Sequence, residues 1–391
     1  MWYFNSPLVV FGEDALNELV AIQGHRAFVV TDSTLLKLGH VDRVTARLKE
    51  AGLEVRVFAE VEPDPSLETV KRGAAQMADF GPDWIVGLGG GSCMDAAKAM
   101  WVLYEHPEMV PEEINPVVPL VLRQKARLIT IPTTSGTGAE ATWAIILTDT
   151  AENRKLALGS RENMADIAIV DPVFVAALPP QVTADTGMDV LTHAVEGYTT
   201  SWHNDFCDGL CLKAIQLVMD YLPRAVLVGT DPAARERLHN AATIAGLGFG
   251  NALAAMAHAM GHSLGAVFHT PHGRAVGLVL PYTVEFTGLT APDRYADIVR
   301  FLGLGGSVAD APRLLAERIR SLAREIRQPL SLQDAGITRT QFEAALPKLV
   351  QNAENDATLV ASARIPDSGE LSRLYACVMA GRAVGVDRKR N

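Results

Sequence analysis

The strongest constraint on this chain is a change of rhythm near residue 172. Before it, short Val/Ile-rich runs alternate with longer helical stretches; after it, strand-like runs nearly stop and helical periodicity continues to the end. Arg26–Thr31 (RAFVVT), Glu54–Ala59, Asp83–Leu88 (DWIVGL), Leu128–Ile131 and Ile167–Val170 read as strands. Leu35–Ala51, Ser66–Phe80 and Ser92–Leu103 read as helices between them. The runs are continuously apolar rather than alternating, the pattern of parallel strands covered on both faces. That succession predicts a doubly wound α/β domain. Leu178-Pro179-Pro180 interrupts the chain close to the change. The expected division is therefore an α/β domain over residues 1–176 and an all-helical domain over residues 177–391.

Composition narrows the function classes. With 48% hydrophobic and 20% charged residues, the chain can bury a large core. A net charge of −10 argues against a nucleic-acid partner, which needs clustered Lys and Arg. The one basic run, Arg388-Lys389-Arg390, reads as a frayed tail. Cysteines at 93, 207, 211 and 377 form no close-spaced framework, as expected in a reducing compartment. Cys207 and Cys211 share a helix face and read as core thiols. The N-terminal stretch has neither a basic nor a long apolar segment, so no signal peptide is expected. The most apolar stretch, Asn251–Phe268, carries two histidines and reads as a buried helix. A cytoplasmic protein without a membrane partner follows as the expectation.

Two loops suit phosphate. Gly87-Leu88-Gly89-Gly90-Gly91-Ser92 follows a strand and opens a helix, where free backbone N–H groups and the helix dipole favour an anion. Ser92 is placed as the N-cap, with Asp95 in the capping-box position. The acidic residue of an ordinary dinucleotide fingerprint is missing: Glu112 and Glu113 near that spacing lie in a proline-flanked loop. Asp32, at the end of an earlier strand, is the better candidate. The second loop, Thr133 to Glu140 (TTSGTGAE), follows the strand Leu128–Ile131 and offers hydroxyls and N–H groups. Two such loops at strand carboxyl ends point to a nucleotide site.

Seven of the ten histidines lie between 193 and 272. Asp189 and His193 are four apart in a helical stretch and share a face; His258 and His262 repeat the spacing. His272 stands in Pro271-His272-Gly273, a turn fixed by its neighbours. One carboxylate with three imidazoles suits a first-row divalent ion, iron or zinc.

With these motifs on the page, the sequence closely resembles the iron-containing (group III) alcohol dehydrogenase family. The matching segments are Gly89-Gly-Gly-Ser-x-x-Asp95-x-x-Lys98, Thr133 to Glu140, Thr186-Gly-x-Asp189-x-x-Thr192-His193-x-x-Glu196, and His258-Ala-x-x-His262-x-x-Gly265 with Pro271-His272-Gly273. The resemblance implies an α/β dinucleotide domain followed by an all-helical domain. It implies Asp189, His193, His258 and His272 as ligands of Fe(II), with Zn(II) as the alternative ion. His262 would be a non-ligand histidine relaying protons. Gly89, Gly90, Gly91 and Ser92 would hold the pyrophosphate, with Asp95 from the same motif. Asp32 would take the adenosine ribose, which favours NAD over NADP. Thr133, Thr134, Thr137 and Thr142 would line the cofactor, and Lys155 would touch it. The implied reaction is reversible hydride transfer between nicotinamide C4 and the carbon of an alcohol or aldehyde on the metal. The implied partner is a small alcohol or aldehyde. For an enzyme of this size the expected assembly is a homodimer or larger homo-oligomer.

The sequence also departs from the family pattern. Asp64 stands where some relatives carry Asn, Ala144 where others have a polar side chain, and Ser362-Ala363-Arg364 where many have Asn-Pro-Arg. Trp143, Ala144, Phe249 and Ala254 are substrate-pocket candidates, the last two placed on a helix leading into the metal motif. The same broad fold hosts zinc glycerol dehydrogenases and the lyase dehydroquinate synthase. Asp189 in place of a glutamate ligand, and few basic residues for a sugar phosphate, argue against the lyase.

Overall fold

The computed structural model describes residues 3–152 and 154–385. The Arg388-Lys389-Arg390 run lies outside the described residues. The chain forms two compact units: Met1–Leu178 with Arg235–Asn251, and Pro179–Ala234 with Ala252–Asn391.

In the first unit, β1 (Leu8–Phe11), α1 (Glu18–Ala21), β2 (Arg26–Val30), α2 (Ser33–Lys37), α3 (His40–Glu50), β3 (Glu54–Phe58), α4 (Leu67–Phe80), β4 (Trp84–Gly89), α5 (Gly91–Glu105), β5 (Arg127–Pro132), β6 (Ala144–Asp149), β7 (Arg154–Gly159) and β8 (Ile167–Val170) succeed one another. Six strands make one parallel sheet in the order β1-β8-β5-β4-β2-β3. Alternate residues of its strands feed two cores. Phe28, Val30, Ile85 and Leu128 pack with Val70, Met77 and Trp101 of α4 and α5. Ala27, Val29, Val86 and Ile129 pack with Val41, Val44 and Leu48 of α3. Because both faces are covered, β4 is buried along its whole length, as its unbroken apolar run requires.

Three strands lay outside the sequence expectation. β1 is a short edge strand beside β8, and β6 and β7 form a separate antiparallel ribbon in register Ala144↔Gly159 to Asp149↔Arg154. The helix expected over Leu35–Ala51 is two helices, because Gly39 takes a left-handed φ of 74° and ends α2.

Helix α8 (Pro232–Phe249) departs from a simple division of the chain at residue 176. It lies in sequence among the later helices but packs in the first unit. Thr243 donates to the Glu140 carboxylate at 2.6 Å, and Arg235 donates to the Leu178 carbonyl at 2.6 Å.

The second unit contains α6 (Pro180–Thr199), α7 (Asp205–Leu227), α9 (Met256–Phe268), α10 (His272–Thr287), α11 (Pro292–Phe301), α12 (Ala311–Glu325), α13 (Arg339–Glu354) and α14 (Ser368–Ala380), and no strand among the described residues. Asn251–Phe268 is not one helix: α9 starts only at Met256. Leu253 at φ 76° breaks the regular backbone, and the N–H groups of Ala255 and Ala257 are caught by the Glu196 carboxylate instead of a preceding turn. Phe249 is therefore the last residue of α8, and Ala254 lies in an irregular link rather than on a helix. Cys207 and Cys211 are buried in α7, and the four cysteines form no disulfide.

Candidate active site

In the second unit three helices bring four donors together. Asp189 and His193 sit one turn apart on α6, His258 lies in the first turn of α9, and His272 opens α10. Their ligand atoms all lie within 4.8 Å of one another. Asp189 Oδ1 is 3.7 Å from His193 Nδ1, 3.4 Å from His272 Nε2 and 3.9 Å from His258 Nε2. The His193 and His258 rings stack at 4.5 Å. Gly273 makes the approach of α10 to α6 possible: a Cβ there would lie 2.2 Å from the Asp185 carbonyl oxygen. Pro271 sets the chain at φ −51° immediately before the helix.

Three of these groups are buried, and the His272 side chain is 39% exposed, which leaves the cluster reachable. Burial pushes the Asp189 carboxyl up, and the imidazoles of His193, His272 and His258 more than reverse it, holding it well below the usual carboxylate range. Burial takes His193 down to about 3 against the pull of Asp189, so its ring stays neutral and keeps a lone pair. His258 moves the other way: burial lowers it, but Glu196 and Asp189 together raise it further.

The donors suit a divalent cation. Asp189 Oδ1 and His258 Nε2 are buried without a well-aligned hydrogen-bond partner among the described residues, a costly state unless another group satisfies them. Their spacing exceeds a hydrogen bond. It is near the separation of about 3.5 Å expected between two ligands each about 2.1 Å from one tetrahedral ion.

His262, one turn beyond His258, is not part of this cluster. Its Nδ1 pairs with Asp356 Oδ2 at 2.8 Å. The other oxygen of Asp356 accepts from the backbone N–H and hydroxyl of Thr358, which fixes the carboxylate. Burial lowers the His262 pKa and the Asp356 hydrogen bond only partly opposes this. Glu196 and Asp356 are the site residues that sequence reasoning missed. Glu196 stood inside a quoted motif without a role, and a carboxylate 94 positions from its histidine leaves no local signal.

In the first unit the two small-residue loops lie side by side. Thr133 N–H donates to the Gly89 carbonyl at 3.0 Å. A Cβ on Gly90 would meet Thr134 at 3.6 Å, and one on Gly91 would meet Thr137 at 3.1 Å. Gly89 has φ 151°, and a Cβ there would collide with Cys93 at 2.6 Å. The helix α5 begins at Gly91 with Gly90 as its N-cap, so the expected Ser92 cap and Asp95 capping box do not form. Ser92 instead accepts from the Asp64 N–H at 3.3 Å, and Asp64 pairs with Lys155 at 2.7 Å. Asp95 turns inward: one oxygen accepts from Ile146 N–H at 3.0 Å and the other faces the buried Lys98 ammonium at 3.5 Å. Asp32 caps α2 through the N–H groups of Thr34 and Leu35, and its second oxygen lies 3.5 Å from Cys93 Sγ. Thr142 is buried, while Trp143 packs against Gly159.

Comparison with known proteins agrees with both halves. The iron-containing alcohol dehydrogenase family model matches residues 6–172, and the model for the C-terminal region of Fe-containing alcohol dehydrogenases matches residues 183–379. The NADPH-dependent butanol dehydrogenase of Clostridium saccharobutylicum is 38% identical over 379 residues, 96% of this chain and 97% of that protein. The bifunctional aldehyde-alcohol dehydrogenase of Escherichia coli strain K12 is 38% identical over 397 residues, 94% of this chain but 44% of that protein. The chain thus spans less than half the length of this bifunctional relative. The alcohol dehydrogenase from Oenococcus oeni superposes with a TM-score of 0.91 at 28% identity, covering 97% of this chain and all of that one. The chain belongs to the iron-containing alcohol dehydrogenase family. It is an oxidoreductase of the alcohol dehydrogenase and aldehyde reductase class, and the lyase and polyol alternatives are not favoured.

Proposed function

We propose that the chain is an NAD-linked, iron-dependent alcohol dehydrogenase that reduces small aldehydes reversibly. The observation that carries this reading is the cluster of Asp189, His193, His258 and His272 on three helices. When bound, a divalent ion and a nicotinamide supply what side chains cannot: a Lewis acid for the substrate oxygen and a hydride acceptor or donor. Asp189 and the three imidazoles would hold the ion, Fe(II) before Zn(II). With Nδ1 of His262 committed to Asp356, proton exchange falls to its Nε2, at a ring whose ordinary pKa lies near neutrality.

Gly89, Gly90, Gly91, Ser92, Thr133, Thr134 and Thr137 form the cradle in which we place the pyrophosphate. Lys155 and Asp64 stand beside Ser92 as further cofactor contacts. The inward turn of Asp95 suits it to holding α5 against β6 rather than touching the cofactor. Asp32 is the residue on which we rest NAD over NADP, since a carboxylate accepts from a ribose hydroxyl and repels a phosphate. The NADPH dependence of one relative makes this the first comparison to run. Trp143, Ala144, Phe249 and Ala254 remain our pocket candidates. No helix among the described residues is long and apolar enough to cross a membrane. We place the protein in the cytoplasm, as a homodimer or larger homo-oligomer.

The test is NADH consumption with short-chain and aromatic aldehydes by protein loaded anaerobically with Fe(II), beside Zn(II)-loaded and chelated samples. Metal-dependent turnover is expected, fastest with iron. Bound metal and NADH without turnover on any aldehyde would sink the dehydrogenase reading.

A further inference from the structure

Glu196 is buried at the end of α6, three residues beyond His193, and its carboxylate meets three donors. Oε2 accepts from Ala255 N–H at 2.9 Å and lies 2.5 Å from His258 Nδ1, while Oε1 accepts from Ala257 N–H at 2.5 Å. Only a group that accepts at both ends can satisfy all three. A carboxylate does so, whereas a carboxamide must turn its NH₂ toward at least one of these donors. With Nδ1 donating to Glu196, the His258 lone pair is confined to Nε2, the nitrogen facing Asp189.

A second observation lies on the same carboxylate. A cavity of about 20 Å³ opens there, lined by Glu196, Thr199, Thr287, Tyr295 and Ser362 among others. Ser362 is 6% exposed, and its hydroxyl has no hydrogen-bond partner among the described residues. One water needs about 10–15 Å³ and at least two polar partners, and this cavity offers both.

We propose that Glu196 is a positioning residue that locks His258 in the Nδ1–H tautomer, backed by one water held between Ser362 and the Glu196 carboxylate. The proposal rests on the metal reading given above, and carboxylates behind ligating histidines commonly set the affinity of a site by about 10- to 100-fold.

The experiment is a Zn(II) competition titration against a chromophoric chelator, on the full chain and on three variants. Glu196→Gln is expected to bind Zn(II) 10- to 100-fold more weakly, with far-ultraviolet circular dichroism and NADH binding unchanged. Glu196→Asp, which keeps the charge but falls a methylene short of His258, is expected to lose affinity as well. Ser362→Ala is expected to lose about threefold, the scale of one ordinary hydrogen bond. In Zn(II)-loaded, ¹⁵N-histidine-labelled protein, His258 is expected to carry its proton on Nδ1. A proton found elsewhere, or wild-type affinity in Glu196→Gln, overturns the tautomer lock. Wild-type affinity in Ser362→Ala removes the water from it. If the unmodified chain binds neither Zn(II) nor Fe(II), the metal reading itself fails, an outcome distinct from all of these.

Discussion

At the scale of single residues, the proposed reading separates holding a metal from moving a proton. His258 and His262 are one helical turn apart, yet one turns its Nε2 toward Asp189 and the other ties its Nδ1 to Asp356. Replacing His262 by Ala should lower kcat by about 100-fold or more, the usual size of a general acid–base contribution, while metal content by elemental analysis stays near the unmodified level. Equal losses of rate and metal would make His262 a ligand or a structural residue. Asp356→Asn keeps an acceptor for Thr358 but can set an amide NH₂ against His262 Nδ1, so kcat should fall about tenfold with metal retained. In the other unit, Asp32 is a half-buried carboxylate that caps α2 just past the end of β2. Its replacement by Ser should cut the kcat/KM preference for NADH over NADPH by about tenfold, or about 1.4 kcal/mol. An unchanged ratio would take the cofactor choice away from this residue.

At the scale of elements, the metal cluster depends on how closely α10 lies against α6. Gly273 is the contact point, and a methyl group there has nowhere to go. Gly273→Ala should cost about 1–3 kcal/mol through overpacking. It should also move His272 away from Asp189, so that metal addition raises the melting temperature less than in the unmodified chain. An undiminished metal-induced rise would show that His272 is not needed. The elements that sequence could reveal were those with strong local signals. Continuous apolar runs gave the central strands, and the i,i+4 spacing put Asp189 and His193 on one face. What escaped had its cause elsewhere in the chain. β1 has four residues and gains its place by pairing with β8, 159 positions away in register (Leu8↔Ile167). Asn251–Phe268 looks uniformly apolar, and only the distant Glu196 carboxylate reveals where α9 starts. The Ser92 cap is absent because α5 already starts at Gly91, just after a Gly89 whose φ of 151° and closeness to Cys93 call for glycine.

At the scale of the whole molecule, the proposed cofactor cradle lies in the first unit and the candidate metal cluster in the second, with α8 crossing the sequence order to join the first. Each ligand should therefore stabilise its own unit by mass action, about 2.7 kcal/mol for a ligand at 100 times its Kd. Hydrogen exchange can resolve where that stabilisation falls, because protection follows the local opening free energy of each segment. NADH is expected to slow exchange in peptides spanning residues 84–105 and 127–142. Fe(II) or Zn(II) is expected to slow it in peptides spanning 185–199 and 255–275, where the four donors and Glu196 lie. Chelation should reverse only the second set. Protection by metal confined to the glycine-rich turn, or by NADH confined to the histidine helices, would break the assignment of cofactor to one unit and ion to the other.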